Sequence, residues 1–297
     1  MTDRLLGSGL IIVDKPAGMT SHDVISRLRR IFGTRRVGHA GTLDPMATGV
    51  LVVGIERGTR FLAHLVTETK TYRATIRLGA STTTDDAEGD ITSRTDTTDV
   101  TETLIDAAIA QLTGDIMQKP AAVSAIKIDG KRAHERVRDG ETVDIPARPV
   151  TVHRFDVLDR RSVDGYIDLD VDVFCSSGTY IRSLARDLGN ALGVGGHLTA
   201  LRRTTVGPFD LTHARTLEEL EDNPQLSLTL DQALAVSFPV LRVSGEEGHK
   251  LAMGQWLEPR GLKGIHAAVT PDGQAVALVK EKGKRLATVF VARPSTL

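Results

Sequence analysis

Between Gly9 and Pro16 the chain reads GLIIVDKP, an apolar run closed by proline, which predicts a short buried strand. A helix is expected next. Ser21 is a plausible N-cap, Val24, Ile25, Leu28, Ile31 and Phe32 recur at helical spacing, and Gly33 stands where a C-terminal cap belongs, so Arg27, Arg29 and Arg30 project largely outward. Further on, VLVVG reads as a second strand and TRFLAHLV as a short helix. KTYRATIRLG alternates like a half-buried strand and runs into the Thr- and Asp-rich turn STTTDDAEGD.

Asp99 and Glu102 resemble a capping box at the start of TETLIDAAIAQLTG, whose apolar stripe and closing Gly114 predict a helix. From Lys119 to Arg148 the pattern fails. This stretch is basic, poor in large apolar residues and broken by Gly130, Gly140 and Pro146, so it is expected to be an inserted excursion. GYIDLDVDVFC alternates Ile167, Leu169, Val171 and Val173 with polar partners, which predicts a strand with one wet face. CSSGTYIRSLARDLGNALG then passes from strand to helix, and GVGGH closes it. The region around Pro224 and the stretch from Phe238 to Gly245 read as linker, and AAVTPDGQAVALV with RLATVFV predicts a small β-rich second domain.

Composition adds limits. A chain of 297 residues and 32.0 kDa can bury a sizeable core, in about two domains. No apolar run approaches the ~20 residues of a membrane helix, and MTDRLLGSGLIIVDK lacks a signal-peptide pattern, so the expected compartment is the cytoplasm. The lone cysteine, Cys175, leaves no internal disulfide or cysteine-based zinc cluster. No metal is expected. The net charge of −1 hides segregation: Arg27, Arg29, Arg30, Arg35, Arg36 and His39 form one basic block, Lys119, Lys127, Lys131, Arg132, Arg136 and Arg138 another, and Arg202 with Arg203 a third. Each block alone is an ordinary solvated face; together they are compatible with one positive side.

RVGHAGTLDPMATGVLVVG holds a single acid, Asp44, between Gly41 and Gly49. Taken alone, an Asp before proline is a turn residue. Tyr72 and Tyr180 alone are packing residues, Arg182 a salt-bridging arginine, His39 a turn cap and Leu201 core.

Several stretches in order change that weighting. GLIIVDKPAGMTSHDV, RVGHAGTLDPMATGVLVVGIERGTRF, KTYRATIRLGASTTTDDAEGD, KPAAVSAIKIDGKRAHERVRDG and CSSGTYIRSLARDLGNALGVGGHLTALRRTTVGPF resemble the bacterial tRNA pseudouridine-55 synthases of the TruB type, from Gly9 to Phe209. His22 and Met46 depart from the residues common there. The resemblance implies an α+β fold with a mixed, largely antiparallel sheet flanked by helices, in a catalytic domain over 1–237. The 238–297 segment resembles a small RNA-binding PUA-type domain through LAMGQWL and GQAVALV.

The family's catalytic aspartate falls on Asp44, with Arg182 as its expected ion-pair partner and Tyr72 as the residue stacking on the flipped uracil. His39, Asp86, Tyr180 and Leu201 fall on residues of the substrate pocket. The implied partner is the T-arm of tRNA, gripped by the Lys119 to Arg148 excursion, and the implied state is a monomer. Converting uridine to pseudouridine breaks a C–N glycosidic bond and forms a C–C bond with no net oxidation, so no cofactor is expected. A carboxylate serves at the sugar carbon or at the base, and both paths stay open. Two rivals are a catalytically silent RNA-binding protein and a metal-dependent phosphohydrolase using His39 and Asp44.

Overall fold

The run GLIIVDK forms strand Gly9–Lys15, buried throughout except for half-buried Asp14. This computed structural model describes residues 5, 7–66, 68–121, 127–128, 131–132 and 145–295. The chain folds into two compact units. One comprises Met1–Pro45, Gly49–Val66 and Thr205–Leu297; the other comprises Met46–Thr48 and Thr67–Thr204.

In the first unit, Gly9–Lys15 pairs antiparallel with Thr48–Ile55, Gly9 opposite Ile55 and Lys15 opposite Gly49. It also pairs in parallel with Ala214–Arg215, and Val37–Ala40 runs antiparallel to Thr48–Ile55. The helix Ser21–Ile31 is capped by Thr20, one residue before the expected Ser21: the Thr20 hydroxyl accepts the Asp23 N–H at 3.1 Å, and the Asp23 carboxylate accepts the Thr20 N–H at 2.9 Å. Ser21 is thereby free to point inward. The helix Glu102–Gln111 is likewise capped by Thr101 rather than Asp99.

The region around Pro224, expected to be linker, is flanked by helix Leu217–Asp222, strand Leu228–Thr229 and helix Leu230–Ser237. The other expected linker stretch, Phe238 to Gly245, holds strand Val240–Arg242, which with Ile265–Val269, Ala275–Lys282 and Arg285–Val291 forms a four-stranded sheet in that order. One face of this sheet joins a core with the opening strands, placing Leu278 and Phe290 in the same apolar cluster as Leu10, Ile12 and Phe61. The other face closes a second cluster around Leu251, Leu257 and Leu286.

In the second unit the strands run Gly196–Val206, Lys70–Leu78, Tyr166–Cys175, Arg148–Val163, Gly114–Gln118. The alternation in Tyr166–Cys175 is as expected, with Ile167, Leu169, Val171 and Val173 buried. Its polar face is not simply wet. Asp168 is 5% exposed and takes both Arg77 Nε (2.7 Å) and Nη2 (2.8 Å), while Asp170 takes the Thr75 hydroxyl at 2.6 Å. These partners sit on the neighbouring strand, opposite in register.

Helix Ile181–Ala191 lies directly on the chain that returns from it. A Cβ at Gly189 would come within 2.1 Å of the Gly195–Gly196 peptide, so glycine is required for that approach. Of the basic excursion, Lys127–Ile128 and Lys131–Arg132 pair antiparallel, and most of the remainder lies outside the described residues. No described helix is long and apolar enough to cross a membrane.

Candidate active site

Asp44 sits half-buried in the loop joining strands Val37–Ala40 and Thr48–Ile55. Gly41 (φ 79°) and Gly49 (φ 100°) bound that loop in left-handed conformations that disfavour side chains. The residues on either side of Asp44 are held by the chain's opening motif. Ser21 Oγ, buried, accepts the Leu43 N–H at 2.9 Å and donates to the Leu43 carbonyl at 3.1 Å. On the other flank, the Pro45 carbonyl accepts the Gly18 N–H at 2.8 Å and Lys15 Nζ at 3.2 Å. Lys15 is fully buried and donates as well to the carbonyls of Pro16 (2.8 Å) and Met19 (2.7 Å). Backbone anchoring on both sides fixes where Asp44 stands in the loop. Sequence reasoning passed over Lys15 and read Ser21 only as a helix cap; the legible signal was a lysine closing a strand that opens as an apolar run. His39, on the strand entering the loop, is half-buried opposite Val53.

A second cluster brings Arg182 and Asp86 together. Arg182 lies on helix Ile181–Ala191 and is 5% exposed; its Nη1 donates to the Thr84 carbonyl at 3.0 Å and stands 3.5 Å from Asp86 Oδ2. The other Asp86 oxygen accepts the Thr84 hydroxyl (2.5 Å) and the Glu88 N–H (3.0 Å). One helical turn on, Arg186 reaches Asp85 at 3.1 Å and the Lys119 carbonyl at 2.7 Å. Asp85 adopts a left-handed φ of 61°. Burial raises its carboxyl pKa, a shift opposed by the Arg186 and Arg182 charges. The TTTDDAEG turn is therefore threaded by two arginines of one helix face.

Tyr72 is buried on strand Lys70–Leu78, opposite Val173. Tyr180 caps helix Ile181–Ala191 and is half-buried; its N–H donates to Gln118 Oε1 (2.8 Å) and its carbonyl accepts Gln118 Nε2 (3.0 Å). Gln118, nearly inaccessible, thus sets the helix entry, and no pattern in the sequence marked it. Leu201 is buried on Gly196–Val206. Arg202, its neighbour, donates to the Thr48 hydroxyl at 3.2 Å. At the head of the Tyr72 strand, Lys70 Nζ donates to the Glu68 carbonyl at 2.8 Å and to Ser177 Oγ at 3.4 Å. Burial, aided by the buried Arg203 guanidinium, pushes the Lys70 ammonium down to about 8. Burial pushes the Cys175 thiol up to about 11, so it is protonated and inert as a nucleophile at neutral pH.

The chain matches three family models in succession: the TruB family pseudouridylate synthase N-terminal domain over residues 29–181, the tRNA pseudouridylate synthase B C-terminal domain over 182–235, and the tRNA pseudouridine synthase II C-terminal region over 238–293. It is 73% identical over 297 residues to tRNA pseudouridine synthase B of Corynebacterium efficiens, covering 100% of both chains. The chain belongs to the TruB family of pseudouridylate synthases. Against the enzyme of the same name from Nocardia farcinica it is 60% identical over 289 residues, covering 97% of this chain and 94% of that one. Among solved structures, it is similar to the crystal structure of a Cbf5-Nop10-Gar1 complex, with TM-score 0.73, 28% identity and coverage of 98% and 87%. It also resembles an H/ACA RNP bound to a substrate RNA containing 2′-deoxyuridine, with TM-score 0.72, 27% identity and coverage of 96% and 85%. The TruB-type α+β fold expected from the sequence is the fold observed, and the chain is an isomerase of that family.

Proposed function

We propose that this enzyme isomerises uridine 55 in the T-arm of tRNA to pseudouridine, with Asp44 as nucleophile. On this reading the target base leaves the stack and rests on Tyr72, a step that costs a few kcal/mol and recovers about 1 to 3 kcal/mol by stacking. His39, Asp86, Tyr180 and Leu201 line the substrate. Arg182 is the ion-pair partner of Asp44. The glycosidic C–N bond breaks, uracil turns, and a C–C bond forms, with the proton displaced from the base carbon ending on nitrogen. No redox equivalent enters or leaves, so the reading includes no cofactor and no metal.

The observation that carries the reading is the anchoring of Leu43 and Pro45 on both sides of Asp44, since a turn aspartate needs no such support. The relatives' shared name, tRNA pseudouridine synthase B, supports tRNA as the substrate. The proposal extends to a cytoplasmic monomer with a catalytic domain over 1–237, the Lys119 to Arg148 excursion on phosphates, and 238–297 adding RNA affinity. Incubating the protein with an unmodified tRNA transcript and no cofactor, then mapping pseudouridine, tests it. Modification at position 55 is expected; an unmodified transcript, or modification elsewhere only, overturns it.

A further inference from the structure

The chain's only tryptophan, Trp256, stands 44% exposed, and Met253, three residues earlier, is 45% exposed. A large aromatic side chain left in water asks for a partner. The position is built. Leu257 and Leu286 exchange both backbone hydrogen bonds (3.0 and 2.8 Å), which lays residue 256 beside Arg285, and the Arg285 guanidinium sits 4.8 Å from the indole centroid. Next to the ring opens a groove of about 830 Å³, lined by Lys250, Gln255, Trp256, Glu258, Pro259 and Arg260 among others.

Charge around this ring is asymmetric. The hairpin joining Ala275–Lys282 to Arg285–Val291 turns through Gly283 (φ 61°), and its tip exposes Lys280, Lys282, Lys284 and Arg285. Nearby acids are occupied. Glu281 accepts the N–H groups of Arg260 (2.7 Å) and Leu262 (3.2 Å), Glu246 pairs with Lys250 at 3.1 Å, and Glu247 pairs with Arg260. Glu258 is the remaining acid of the groove, against the four tip cations and exposed Lys263. On a chain of net charge −1, this concentration of positive charge is local.

An exposed indole flanked by cations suits an unpaired nucleobase, because the ring stacks on any base and the lysines meet the phosphates on either side. A protein interface would instead place a hot-spot tryptophan inside a ring of residues that excludes water, and the lysine-rich tip offers the reverse. We propose that Trp256 and the 280–285 hairpin tip form an RNA-contacting surface that stacks one unpaired base of the substrate RNA. The inference rests on the proposed action on tRNA, and deepens it.

Because Trp256 is the only tryptophan, its emission reports the site directly. Titrating the full chain with the unmodified tRNA transcript is expected to quench that emission with the same midpoint as binding measured by filter retention. Trp256→Phe is expected to bind close to wild type, whereas Trp256→Ala weakens binding on the order of tenfold, the loss of one stacked base. Lys282→Glu with Lys284→Glu is expected to weaken binding and flatten its salt dependence. Unchanged emission at saturating tRNA, with Trp256→Ala binding as wild type, overturns the proposal. So does emission that changes only with protein concentration, which would assign the ring to a second copy of the chain. Pseudouridine formation on the same transcript separates the two readings: turnover with an unquenched tryptophan rejects this surface alone, while quenching without turnover rejects the proposed reaction and leaves the surface standing.

Discussion

The loop that presents Asp44 and the turn that holds Arg182 are both positioned firmly, by different means. Around Asp44 the contacts run to the backbone of its neighbours, from the hydroxyl of Ser21, the N–H of Gly18 and the ammonium of Lys15. Around Arg182 they run from the guanidinium itself, to the Thr84 carbonyl at 3.0 Å and to buried Asp86 at 3.5 Å, with a second charge pair, Arg186 and Asp85, one turn away. Support through the backbone of Leu43 and Pro45 fixes the position of the loop through the main chain. The Arg182 guanidinium is held in place by side-chain contacts with a buried acid. The two regions are therefore expected to fail differently, and the following experiments press on that difference.

Asp44→Asn carries the largest expected effect. The loop's anchors touch Leu43 and Pro45, so the variant is expected to fold and bind tRNA while pseudouridine falls below detection. Product at anything near the wild-type rate makes the carboxylate a turn residue. In the other region the expected loss is in stability. Arg182→Met leaves Asp86 buried without its guanidinium and is expected to cost about 3 to 5 kcal/mol in urea unfolding. A loss under about 1 kcal/mol would show the pair to be dispensable to the fold.

Lys70 extends the contrast to pH. Its folded pKa of about 8 lies below its ordinary 10.5, so across that window the unfolded chain still binds a proton the folded chain has released. Stability linked to this group therefore rises as pH increases from about 8 to about 10.5, by up to about 3 kcal/mol. Measured as the difference between wild type and Lys70→Met at about pH 7 and about pH 10, the gap should shift in favour of wild type; a constant gap removes Lys70 as its source. The smallest expected effect is at Ser21→Ala, which leaves two buried backbone groups of Leu43 without their partner and costs about 1 to 3 kcal/mol. If the backbone clamp positions Asp44, turnover drops in that variant while tRNA affinity holds. Equal losses in both would mean that Ser21 supports binding or the fold at large.

Much of this was legible in the order of residues. Periodicity located the strand Gly9–Lys15, the helix Ser21–Ile31 and the alternation of Tyr166–Cys175, because burying one face of an element imposes the spacing of that element on its apolar residues. The Asp44 loop was legible through its flanking glycines, whose left-handed backbone demands that residue type. Charged positions were another matter. Alternation marked Asp168, Asp170 and Asp172 as polar and implied that they face water, yet Asp168 is buried against Arg77 from a strand some ninety residues earlier in the chain. Whether a polar face is wet depends on what covers it, and the covering residues arrive through strand register and packing that no local pattern records. The same holds for the hydroxyl of Ser21 on Leu43, the Gln118 amide on Tyr180 and the guanidinium of Arg182 on Asp86. Each joins residues distant in the chain by a bond only a few ångströms long, so local spacing announced the elements and the fold alone decided which polar groups would meet.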